Sequence, residues 1–221
     1  MEQVIKIAIY IHAFFGGIGL ITGIGSILLK KGSVPHKRMG KFFSIGMLTS
    51  SIVSLPIAWM PNHKNLFLFL MGLFTIYLVL MGNRVLTFKS KTKLKADTID
   101  IITSGSMLIF SLLMILIGLY GVFNAVNNSI LYVIFGSFGL FSTVKDFQFV
   151  KDPGTNKWLT NHVGKMVGAF IASFTAFIVA GLGYGNIISW TLPSIVGTIY
   201  IIYWIKKIKA KESIDTNATK R

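Results

Sequence analysis

Two histidines, three of the aspartates and one arginine are the side chains of this sequence best suited to chemistry: His36, His162, Asp97, Asp100, Asp146 and Arg84. Two imidazoles and a carboxylate can hold zinc or another divalent metal and still leave a coordination position for water. In that arrangement His36, His162 and Asp146 are the ligands and Asp100 or Asp97 is the base on bound water. Arg84 steadies an anionic headgroup, and the chemistry is hydrolysis within a membrane. The same residues fit an ion-pair belt, in which Arg84 meets Asp97, Asp100 or Asp146 and the histidines cap helix ends. Spacing leaves both open, because neither His-x-x-x-His nor His-Glu-x-x-His occurs and the four histidines lie far apart. His63 falls in an outer turn and is expected to be solvated.

His12 stands apart from that group. With Gly16, Gly19 and Gly23 it recurs along one stripe of an apolar segment, and Gly164 and Gly168 form a second Gly-xxx-Gly pair. Such glycines predict close helix packing in a bilayer. A histidine in hydrocarbon must face the bundle interior, either bonded to Ser or Tyr of another helix or acting as a ligand or proton carrier. A small-molecule or proton-coupled transporter would use His12 with Ser, Thr and Tyr groups near Pro193. A b-type haem or quinone protein would use it as a ligand, but a bis-histidine haem needs two imidazoles at one depth. His12 and His162 differ by about 12 Å in depth, at 1.5 Å of rise per residue, which disfavours that pair.

The elements that must position these groups are membrane helices. A chain of 221 residues with 53% hydrophobic and 13% charged content, at a mean hydropathy of +0.69, has too little polar surface to clothe a soluble domain. Its apolar runs, each about 20 residues, suit a hydrocarbon core of about 30 Å. They predict an all-α bundle of seven transmembrane helices over 4–29, 41–59, 65–86, 98–122, 129–146, 158–182 and 187–205. Residues 1–208 form this domain, and 209–221 are a basic, polar tail expected to be disordered. The first run is full length and rich in glycine, so it is expected to be a permanent helix and not a cleaved signal. The absence of cysteine excludes thiolate metal sites, thiol nucleophiles and disulfides.

A net charge of +15 would suggest nucleic acid in a soluble domain, but here the charges lie between apolar runs and the partners expected are membrane lipids and a small-molecule or lipid substrate. Of 22 basic residues, 19 fall on one side of the expected topology, in the first-to-second, third-to-fourth and fifth-to-sixth connections and the tail. By the positive-inside rule that side is cytoplasmic and the N-terminus is outside. Lys165 falls inside the sixth helix. Trp59, Tyr120, Tyr184 and Trp190 are expected at the outer headgroup layer, with Trp158 and Trp204 at the inner one.

Several short motifs run together through the chain. They are His12 before a glycine-rich helix, Gly32-x-x-x-His36-x-x-x-Gly40, Gly82-x-Arg84-x-Leu86, Phe135-Gly136 with Asp146 downstream, and Trp158-Leu159-x-x-His162-x-x-x-Met166 followed by Thr175-Ala176-Phe177. This pattern resembles a family of predicted bacterial multi-pass membrane proteins of unknown function. The resemblance spans the first to the seventh helix and implies a multi-pass protein of the bacterial inner membrane, but no reaction. The helix count with inner-edge His and Asp is also similar to seven-helix zinc hydrolases of the ceramidase and adiponectin-receptor type. Their last helix carries a His-x-x-x-His pair that this chain lacks. The function expected is therefore a metal- or ligand-binding membrane-embedded protein with its site at the cytoplasmic edge.

Overall fold

The computed structural model describes residues 2–90, 95–151 and 157–219. Among them run seven helices: α1 (Glu2–Leu28), α2 (Val34–Ile57), α3 (Leu66–Arg84), α4 (Thr98–Phe123), α5 (Ser129–Lys151), α6 (Lys157–Ala176) and α7 (Ile187–Thr219). A 3-10 segment, Val85–Ser90, extends α3, and a π-helical turn, Phe177–Gly181, extends α6. All seven are long and apolar enough to cross a membrane, and the protein is accordingly an integral, multi-pass membrane protein.

Capping moves one end in a way that matters. Hydropathy placed the start of α2 at residue 41, yet Ser33 takes an extended conformation and its side chain accepts from the His36 amide at 3.3 Å, with Pro35 in the first turn. Proline has no amide to lose there, so cap and ring start the helix at Val34. His36 therefore sits in the first turn of α2 and not in a loop. Gly32, at φ +80°, makes the tight reversal from α1. Helix α5 also runs five residues beyond the expected end, which places Asp146 more than a turn inside it. The polar residues after Ile208, expected to be irregular, continue α7 to Thr219.

Helix α3 is the hub. It packs on α2, α4 and α6, whereas α1 lies mainly against α2 and α5 mainly against α4. In the most apolar stretch of α3, 61% of residues are buried, against 6% in α7. The glycine stripe of α1 packs as expected. A Cβ on Gly46 of α2 would stand 2.8 Å from the Phe15 carbonyl and 2.9 Å from the Gly19 nitrogen, so these two backbones are in direct contact. The second pair is split: a Cβ at Gly168 would stand 3.6 Å from Leu78 of α3, whereas nothing lies within 4 Å of one at Gly164. Trp190, expected at the headgroups, is instead buried against Phe67 and Phe135, with ring centroids 5.0 and 6.1 Å away. An apolar core that needs filling outweighs the interfacial preference of the indole here.

Candidate functional site

The polar residues divide into three groups. The first is a clamp at the end of α3. Arg84 donates through its Nε to Asp100 and through a terminal nitrogen to Asp97 at 2.5 Å. Asp100 also accepts from the Asp97 amide at 2.9 Å, closing a capping box at the start of α4. One guanidinium thus ties the C-terminus of α3 to the N-terminus of α4, where carboxylates complement the helix dipole. Both Asp100 oxygens are engaged and Arg84 is turned to the aspartates. Asp97, Asp100 and Arg84, expected as base and headgroup-binding groups, here form the Arg84–aspartate pairs of the ion-pair alternative.

The second group lies within the bundle. Asp146 on α5 pairs with Lys165 on α6 at 2.6 Å, and both are almost fully buried. The other Asp146 oxygen accepts from Tyr77 of α3 at 2.6 Å and from Ser104 of α4 at 2.8 Å. The Lys165 ammonium donates to the Tyr77 hydroxyl at 2.9 Å and to Ser142 at 3.1 Å. Lys165 lies about 12 Å along α6 from its first residue, at 1.5 Å of rise each. A lone charge at that depth is costly, whereas a neutral pair with its remaining donors and acceptors satisfied is tolerable.

The three-ligand metal site finds no support in this network. Asp146 meets α6 at Lys165, one turn deeper than His162, because a buried carboxylate requires an opposite charge that a neutral imidazole does not supply. Among the described residues no three His, Asp or Glu side chains converge as a metal site. The set His36, Asp146 and His162 does not assemble.

The third group borders a cavity of about 480 Å³ where α1, α2, α3, α6 and α7 meet at the basic edge. Both remaining histidines line it. His36 donates from Nδ1 to the Ser26 carbonyl at 3.0 Å, and His162 from Nδ1 to the Gly82 carbonyl at 2.7 Å. A carbonyl can only accept, so each Nδ1 carries the proton, and a ring that holds no second proton presents an Nε2 lone pair. Neither Nε2 has a hydrogen-bond partner among the described residues.

Four lysines, Lys31, Lys37, Lys41 and Lys89, border the same cavity, and among the described residues no acidic side chain lies on its wall. Lys31 donates to the Ser26 and Ile27 carbonyls at 2.8 and 2.6 Å, capping α1, and stands 5.4 Å from the Trp204 ring centroid on α7. Partial burial pushes its pKa below the ordinary lysine value. Deeper in, the wall is Phe43, Met166, Val167 and Phe170.

His12 is not part of this cavity. Its Nδ1 donates to the Ser50 carbonyl of α2 at 2.9 Å, and the Ser50 hydroxyl donates back to the His12 carbonyl at 3.0 Å. Of its two expected roles, this geometry fits the neutral imidazole bonded to serine on another helix. His63 is exposed in its turn.

Lys165 and Tyr77 were not among the residues singled out from sequence. The signal was present: a lysine three residues after His162 in an apolar helix must find a counter-charge, and Asp146 is an acidic residue inside α5. Comparison of the chain with protein-family models, curated proteins and solved structures gives no match.

Proposed function

We propose that this integral membrane protein binds a ligand in the cavity at its basic edge, and that the ligand is an anion with an apolar body. One observation carries the reading: four lysines and two histidines border a cavity with an apolar floor and, among the described residues, no carboxylate on its wall. A cationic rim without counter-charge favours an anion, and aromatic and aliphatic walls favour a body that would otherwise lie in lipid. The excess of basic residues at this edge supports a cytoplasmic opening, with the N-terminus outside. The volume lies within the usual range of small-molecule sites, about 300–1,000 Å³.

Native mass spectrometry of protein released from mild detergent tests this. An anionic adduct should be retained by the unaltered protein and lost from the double variant Lys41→Gln, Lys89→Gln, which leaves the Lys31 cap in place. Retention of the adduct in that variant, or adducts that carry no charge, would contradict the reading. Orientation is tested separately: a cysteine at Asn62 or Asn127 should react with an impermeant thiol reagent in intact cells, and one at Ser33 should not.

A further inference from the structure

We infer that the cavity is built for an iron porphyrin, a b-type haem held between His36 and His162 with its propionates on the lysine rim. The inference rests on the proposed anion site and names the molecule it takes.

The ligand count points to a macrocycle. Zinc in a protein needs three or four protein ligands, and among the described residues no such group exists. Two imidazoles are too few for a bare ion, but they suffice for haem, whose porphyrin supplies the other four nitrogens and leaves only the axial positions.

The state of each imidazole is also that of a ligand. A metal-binding histidine characteristically donates its second ring N–H to a carboxylate or backbone carbonyl, which fixes the tautomer and orients the ring. His36 does so to Ser26 on α1, and His162 to Gly82 on α3. Two histidines on different helices, each anchored by a carbonyl of a third element, line one cavity, and neither Nε2 has a hydrogen-bond partner among the described residues.

Depth, which disqualifies His12, differs less here, by about 5 Å. His36 lies about 3 Å and His162 about 8 Å along helices that both begin at the basic edge, at 1.5 Å of rise per residue. The rest of the wall suits the macrocycle. Phe43, Phe170 and Met166 offer apolar and aromatic surface for the rings, and Lys31, Lys37, Lys41 and Lys89 offer cations for the two carboxylates. With both axial positions filled by imidazole the iron keeps no open position for a substrate.

The test is titration of the purified, haem-free protein with ferric protoporphyrin IX, followed by absorbance and electron paramagnetic resonance. The expected result is a stoichiometric, low-spin, six-coordinate species. His36→Gly and His162→Gly should each abolish it, and free imidazole should restore it to each variant, which separates lost ligation from misfolding. His12→Leu should leave the spectrum unchanged. A high-spin species, a low-spin species that survives both glycine variants, or no stoichiometric binding would overturn the haem assignment.

A parallel titration with lysophosphatidic acid, read by the fluorescence of Trp158 and Trp204 on the cavity wall, separates the two levels. Saturable binding lost in Lys41→Gln, Lys89→Gln, without a low-spin haem spectrum, overturns haem and leaves the anion site standing. Failure of both titrations overturns the site itself.

Discussion

Lys165 and His162 stand one turn apart on α6 and belong to opposite kinds of place. Around Lys165 every formal charge is matched: the ammonium meets Asp146, Tyr77 and Ser142, and the carboxylate also meets Ser104. Around His162 and His36 the positive groups gather with no carboxylate among the described residues, and neither Nε2 has a hydrogen-bond partner among them. Depth alone would have ranked Lys165 as the functional residue. Satisfaction of partners ranks the cavity instead, because a closed network holds helices together while an open one has capacity left for a ligand.

The contrast predicts unequal costs. Asp146→Ala should be the most damaging change, destabilising by about 3–5 kcal/mol because it strands a buried ammonium. Thermal unfolding in detergent would measure it. Pairing that change with Lys165→Met should recover much of the loss, and no recovery would mean the pair does more than neutralise itself. Arg84→Gln comes next, at about 1.5–3 kcal/mol for hydrogen bonds between charged groups. Its effect should be absent from a variant already lacking Asp97 and Asp100. His12→Leu should cost about 1 kcal/mol through its link to Ser50, a smaller shift in the same assay. Smallest is Lys41→Gln, an exposed position, expected within about 0.5 kcal/mol of the unaltered protein while it weakens ligand retention. A large stability loss there would close the gap between the two regions.

Helix number and position were legible in the sequence because hydropathy acts on whole segments and tolerates errors at their ends. The start of α2 shows the limit: a Ser33 cap and a Pro35 turn signal are present, but an apolarity window cannot register a polar first turn, so it leaves His36 outside the helix. The candidate site was half legible. His36 and His162 were singled out and border one cavity, whereas Asp146 was grouped with them by depth and turned out to face Lys165. Depth is read from position along a helix, but partners depend on which face each helix presents, and charge balance was the available clue to that face. Trp190 illustrates the same gap, since position placed it at the headgroups and packing against Phe67 buried it.

The most direct measurement is an experimental density map of the protein purified from its own membranes in mild detergent. Non-protein density should fill the cavity between α1, α2, α3, α6 and α7, in contact with His36 and His162 and with an anionic end toward Lys41 and Lys89. The Lys165–Asp146 network should be closed and free of any ligand. A collapsed cavity in which the Nε2 atoms of both histidines bond to protein groups, or ligand density at Lys165 instead, would contradict the account.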